Sequence, residues 1–323
     1  MSAAAAHLLA LVRSSTRVLL TGPEGPDGDS IGACLALQRV LAVAAPGVRV
    51  DVAGTPAHRY TFLPGAAAMI ADRRVGRAEG VVVLDGDRRR LPTGVTEAFD
   101  EARWTGIIDH HRSTDLSPYT VSVFDPAAES TCGMVAELAD AWGVPFDADL
   151  ATLLYVGVIF DTGGFRYSNT QPSTHRLAAR LIEAGIDHAQ LNLRILMERR
   201  PQALRLLSTV LSGTEFLADG RVAFATCPRS LLKALDAHES DLEGVVDLLQ
   251  HTEGVDLAVV VVEKTHARVK LSLRSRGRVD VAALARSLHD GGGGHAKAAG
   301  VVVEGPWDEV VPVVKARVVA GAA

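Results

Sequence analysis

Gly106-Ile107-Ile108-Asp109-His110-His111 sets a carboxylate and two imidazoles directly behind a short apolar run. That is the composition of a divalent-metal site at the carboxyl end of a buried strand. Three further apolar runs end in the same way. Asp27 and Asp29 follow Val18-Leu19-Leu20, Asp85 follows Val81-Val82-Val83-Leu84, and Asp161 follows Val156-Gly157-Val158-Ile159-Phe160. In an open α/β sheet the carboxyl ends of the strands share one rim, so groups remote in sequence are expected to converge there.

Working outward, the aliphatic runs at 18–21, 48–53, 81–84 and 106–108 alternate with helical patterns, which predicts a mainly parallel sheet flanked by helices. Helices are expected at 30–42, 130–142, 148–158, 173–184 and 188–211, with Ile31, Leu35, Leu37, Val40 and Leu41 forming a core-facing stripe. Near Ser212-Gly213 the pattern changes. Segments 214–217 and 222–226 read as a hairpin turning at Asp219-Gly220. Segments 231–235, 242–249 and 280–288 read as helices, and 255–262, 267–273 and 300–303 as strands. The expected division is a domain at 1–195, a helical linker at 196–212 and a smaller α/β domain at 213–323.

The 323 residues, 48% of them hydrophobic, suit two buried cores. No apolar run is long enough to span a bilayer. The first dozen residues lack a basic start and contain His7, which fits a first helix better than a signal peptide. Three scattered cysteines, Cys34, Cys132 and Cys227, suit reduced thiols in the cytoplasm rather than a disulfide framework. A net charge of −5 argues against tracking long duplex DNA, which calls for a basic surface; small phosphorylated partners fit better.

Singly, each acidic group also has a structural reading. Asp27-Gly28-Asp29 is a polar turn with Ser30 as helix cap, Asp85-Gly86-Asp87 a turn after a strand, and Asp161-Thr162-Gly163-Gly164 a helix end. Together they supply carboxylates and an imidazole suited to Mn2+ or Mg2+, and two such ions make a clamp for phosphoryl transfer.

The ordered set Pro26-Asp27-Gly28-Asp29-Ser30-Ile31-Gly32, Leu84-Asp85, Asp109-His110-His111 and Asp161-Thr162-Gly163 resembles the DHH phosphoesterase superfamily. Ser272-Leu273-Arg274-Ser275 and Gly292-Gly293-Gly294-His295 resemble its DHHA1 partner domain. Phe165-Arg166-Tyr167-Ser168-Asn169-Thr170 is similar to the oligoribonuclease and pAp phosphatase branch, the NrnA-like proteins. The resemblance implies a five-stranded type of sheet in the DHH domain and two bound Mn2+ ions, or Mg2+ or Co2+ in their place. Asp27 would hold one ion and Asp29 the other, Asp85 would bridge them, and His110 and Asp161 would complete the ligands of the second ion. Asp109 would orient a neighbouring imidazole, and His111 would face the substrate phosphate as donor or proton source. Arg274 and His295 would hold the far end of the nucleotide, with Gly292, Gly293 and Gly294 allowing close backbone approach.

The activity implied is hydrolysis of short oligoribonucleotides to mononucleotides, of pAp to AMP, or both, by hydroxide attack within a two-domain clamp. Cyclic or linear dinucleotides such as c-di-AMP and pApA are an alternative, and related proteins are commonly dimers. The family's first motif opens with a metal-binding histidine where this chain has Pro23; Glu24 and Asp87 are the acidic neighbours able to substitute. A weaker or differently selective first metal is the mild consequence and a nucleotide sensor with impaired catalysis the severe one; the other expected ligands remain, so retained activity is expected. A RecJ-like exonuclease, a membrane-bound cyclic-dinucleotide phosphodiesterase and a family II pyrophosphatase share parts of the pattern, but call for extra domains, membrane spans or a different C-terminal half.

Overall fold

Strands covered on both faces need apolar side chains on both sides, and the runs ending at Leu20, Leu84 and Ile108 have them. The computed structural model describes residues 2–321, in two compact units, Met1–Glu198 and Arg199–Ala323. In chain order the first holds helix α1 (Ser2–Arg13), strand β1 (Arg17–Thr21), α2 (Gly28–Ala44), β2 (Arg49–Ala53), β3 (Gly80–Leu84), α3 (Thr93–Asp100), β4 (Trp104–Asp109) and β5 (Val121–Phe124). Helices α4 (Thr131–Ala141), α5 (Ala148–Asp161), α6 (Pro172–Glu183) and α7 (His188–Asn192) follow.

Every strand pairing in this sheet is parallel, in the order β2-β1-β3-β4-β5. The chain leaves β1 toward one edge and returns to place β3 on β1's other side. The gap between β1 and β3 is therefore the topological switch point, where open α/β sheets bind ligands. Val18, Leu20, Val82, Leu84 and Ile108 pack against α1, α2, α4 and α5 on one face, while Leu19, Val81 and Val83 pack against Val95 and Phe99 of α3 on the other.

Three features of this unit differ from the sequence expectation. The 188–211 helix is broken: a π turn spans Leu193–Met197, and α8 (Pro201–Ser212) starts afresh. Pro201 has no N–H to continue the ladder and holds Arg200 extended, at φ −66° and ψ 152°. The edge strand β5 is half-exposed and only four residues long, too weak a pattern to stand out. The third difference matters most for the site: Asp161, grouped above with the strand ends, is the last residue of α5, the helix expected at 148–158.

The second unit contains α8, β6 (Glu215–Leu217), β7 (Val222–Cys227), α9 (Arg229–Ala234), α10 (Val245–Gln250), β8 (Leu257–Thr265), β9 (Arg268–Ser275), α11 (Val281–Leu288), β10 (Gly293–His295), β11 (Ala298–Glu304) and α12 (Trp307–Gly321). Its mixed six-stranded sheet runs β10-β11-β9-β8-β7-β6, with β7 and β8 the parallel pair. One face packs on α11 and α12 through Val281, Ala285, Val310, Val314 and Val318. The other packs on Leu206 and Val210 of α8, part of the stretch expected as a linker, and on Val245 and Leu249 of α10. Helices α3 and α12 have no counterpart in the sequence expectation. No described helix is long and apolar enough to cross a membrane.

Candidate metal centre

Asp27 caps α2: its Oδ1 accepts the N–H groups of Asp29 and Ser30, each at 3.0 Å. The cap is thus Asp27 itself, not Ser30 as the sequence pattern suggested. Ser30 instead donates its hydroxyl to Asp85 Oδ2. Asp29, on the first turn of α2, is fully buried and lies at the amino end of α4. Its Oδ2 accepts from Thr131 N at 2.6 Å and its Oδ1 from Cys132 N at 2.8 Å. Exposed N–H groups and the helix dipole favour a negative charge at that place.

Asp85 follows β3 in the left-handed region, at φ 61°. A non-glycine residue held there is a local strain that its surroundings must sustain. The Thr131 hydroxyl donates to its Oδ1 at 3.1 Å, opposite the Ser30 bond. One short segment of α4 therefore positions both Asp29 and Asp85.

Beyond β4, Asp109 is fully buried and turned away from solvent. Its Oδ1 accepts from His110 N at 2.9 Å and pairs with His111 Nδ1 at 2.7 Å, while Oδ2 accepts the Thr114 hydroxyl. Burial works to raise this carboxyl, but the hydrogen bonds and charge of His111, with Thr114, hold it below its ordinary value. The His110 ring is fixed the other way round: Nδ1 lies 3.1 Å from the Ala128 carbonyl oxygen. A proton on Nδ1 leaves the Nε2 lone pair pointing inward, the orientation of a ligating imidazole. Nε2 lies 3.1 Å from Asp161 Oδ2 and 3.7 Å from Asp85 Oδ1.

Asp161 reaches His110 because α2 and α5 cross closely. A Cβ on Gly32 would come 2.7 Å from the Leu153 carbonyl oxygen, and one on Gly157 would come 2.4 Å from Asp29 Oδ1. The absent side chains let the helices touch, and Asp161 then sits one turn beyond Gly157. Asn169 ties the following loop down, donating Nδ2 to the carbonyls of Glu129 at 2.9 Å and Asp161 at 3.1 Å.

Two clusters of ligand atoms result, each with all its atoms within 4.8 Å of one another. One joins Asp29, His110 and Asp161; the other joins Asp85, Asp109, His110 and His111. Asp27 belongs to neither, although it bears on the same charge balance. Burial and the Asp161 carboxylate raise Asp27, and burial with the charges of Asp27, Asp29 and Asp161 raises Asp85 well above its ordinary value. Asp29 is pushed up to about 7 by burial and Asp161. Burial alone would lower His110, but the Asp161 carboxylate overrides it and takes the ring up to about 10. Crowded carboxylates pushed above their ordinary values, beside a buried Nε2 that faces two of them, form a donor set short of positive charge. A pair of divalent cations supplies that charge, so the residues fit the metal.

Pro23 is buried against Gly86, and neither acidic neighbour enters the clusters. Glu24 is exposed, and Asp87 is held by a fork from Arg89. Sequence reasoning missed Ser30, Thr131 and the two glycines, which carry no charge; the one signal was Ser130-Thr131 opening a helix behind a loop.

In the second unit, Arg274, Ala298 and His295 stand opposite one another across β9, β11 and β10, forming one row on the sheet. Arg274 also holds Asp247 of α10, with Nε to Oδ1 at 2.8 Å. The glycine run is no loose loop. A Cβ on Gly292 would come 2.4 Å from the Ala285 carbonyl oxygen, and Gly294, at φ 136°, would meet that of Ala298 at 2.4 Å. The Gly292 N–H is already bonded to the His289 carbonyl at 2.8 Å. Gly293 alone of the three faces open space.

Comparison with known proteins matches residues 17–158 to the DHH family, N-terminal domain, and residues 219–318 to the DHHA1 domain. The chain is 33% identical to the bifunctional oligoribonuclease and PAP phosphatase NrnA of Thermus thermophilus, over 87% of this chain and 82% of that protein. It is 26% identical to the Mycoplasma genitalium protein of the same name, over 86% of each. Among solved structures, an exopolyphosphatase-related protein from Bacteroides fragilis superposes with a TM-score of 0.87 at 24% identity, covering 98% of this chain and 96% of that one; the likeness is one of fold.

Proposed function

The chain belongs to the DHH family, with a DHHA1 domain and homology to the NrnA-like branch, and from that premise we propose that it cleaves short oligoribonucleotides to mononucleotides and removes phosphate from pAp. The broader activity, hydrolysis of phosphate esters by a DHH hydrolase with a candidate two-metal site, follows from the family and the clustered ligands. The observation that carries the reading is the convergence of Asp29, Asp85, His110 and Asp161 at one rim in a chain so similar to an oligoribonuclease and PAP phosphatase.

Manganese ions held there would supply positive charge to an attacking water and to the departing sugar oxygen. In this reading Asp27, Asp29 and Asp85 would hold the two ions, with His110 and Asp161 joining Asp29. The chain's own part is orientation. Asp109 Oδ1 pairs with His111 Nδ1 at 2.7 Å and so fixes the ring, which in this reading would face the substrate phosphate. Arg274 and His295, in one row of the second unit's sheet, would offer positive charge to a nucleotide phosphate, and a Cβ on Gly293 would meet nothing within 4 Å.

Pro23 supports a second reading, a sensor that binds nucleotides without turning them over. Purified protein with Mn2+ should release mononucleotide from a two-nucleotide RNA and phosphate from pAp. Nucleotide binding with no release of either would favour the sensor. Cleavage of c-di-AMP in preference to both would move the assignment to cyclic dinucleotides.

A further inference from the structure

Three consecutive arginines, Arg88, Arg89 and Arg90, form the turn that follows β3 and Asp85. Two are engaged. Arg88 grips Asp100 through Nε at 2.9 Å and a terminal nitrogen at 2.7 Å, and Arg89 forks onto Asp87. Arg90 differs: among the described residues its exposed guanidinium has no hydrogen bond and no ion pair. Its main chain is nonetheless fixed. The Glu24 N–H donates to the Arg90 carbonyl at 2.8 Å, tying the turn to the loop that leads into Asp27. The turn thus lies beside the switch point between β1 and β3, and the Arg90 charge acts on the Asp27 carboxylate.

A solvated arginine is the ordinary reading of an exposed guanidinium. Here the neighbouring charges argue otherwise. Asp27, Asp29, Asp85 and Asp161 carry four negative charges when ionised, which two divalent cations only balance. An incoming phosphate then needs further positive charge, and Arg90 carries one on a turn whose main chain is tied to the loop before Asp27. We propose that Arg90 binds the scissile phosphate and favours a doubly charged phosphomonoester over a singly charged diester; the inference rests on the phosphate-ester hydrolysis proposed above. Coulomb attraction scales with the charge of the partner, so the monoester gains about twice as much from one cation at equal distance. The guanidinium fork also matches two phosphate oxygens.

The test compares wild type with Arg90→Gln and Arg90→Lys on pAp and on the diester pApA, with melting temperature and Mn2+ content measured for each. A calorimetric Kd for inorganic phosphate in Mg2+ gives a readout independent of turnover. The Gln variant should lose about 10-fold or more in kcat/KM on pAp and in phosphate affinity, but no more than about 3-fold on pApA, with Lys restoring part of the pAp preference. Equal losses on both substrates, no loss on either, or a Lys variant no better than Gln would overturn the proposal. If wild type turns over neither substrate, the functional reading falls. Phosphate binding then judges Arg90 alone: weaker binding in the Gln variant upholds its contact, and unchanged binding removes it.

Discussion

His110 belongs to both ligand clusters, and its ring geometry is set by a main-chain carbonyl rather than by another charge. Its pKa of about 10 and that of Asp29 near 7 both lie above the ordinary values of 6.5 and 3.8. A group whose folded pKa is raised stabilises the fold below its unfolded pKa, and that contribution is lost as pH rises through the folded value. For these two groups the window therefore runs from pH 3.8 to about 10. Asp109, held low, acts in the opposite sense: its contribution is present above its ordinary pKa and is lost in acid as pH falls through the folded value. Bound cations displace the protons on Asp29 and His110 and remove the slope. In chelator, the melting temperature should fall between about pH 5 and about pH 8, and the gain on adding Mn2+ should be larger at the higher pH. A chelated protein equally stable at both, with the same gain from Mn2+, would contradict the proposed protonation of the site.

At the scale of elements, the crossing of α2 and α5 decides where Asp161 goes. Gly157→Ala would put a methyl 2.2 Å from Cys132 Sγ and 2.4 Å from Asp29 Oδ1. Overpacking of this kind costs about 1–3 kcal/mol, and the displaced Asp29 should weaken Mn2+ binding as well. Denaturant unfolding and a Mn2+ titration check both effects, and wild-type values in each would show that the close crossing is not needed. The sequence made the strands legible because runs such as Val81-Val82-Val83-Leu84 fit one buried environment. It hid this crossing, since Gly32 and Gly157 read only as weak points in helices. The apolar run ahead of Asp161 invited grouping it with the strand ends, although the helical pattern at 148–158 was legible and α5 ends at that residue. The aspartates and histidines of the site were readable because charge behind an apolar run is rare. Ser30 and Thr131 were not, since hydroxyls at helix starts usually serve as caps.

At the scale of the molecule, a doubly wound sheet brings loops from β1, β3 and β4 to one rim, and a separate mixed sheet carries the row of Arg274, Ala298 and His295. Pro23 is the chain's own departure from the pattern, and its buried packing against Gly86 offers no ligand atom. A two-ion centre therefore requires that the remaining groups still gather ions. Metal content after dialysis, counted in wild type and in Asp85→Ala, tests this most directly. About two Mn2+ per chain in wild type and fewer in the variant is the result expected of a bridging carboxylate. Equal content in the two proteins would contradict Asp85 as the bridge, and with it the paired-ion centre.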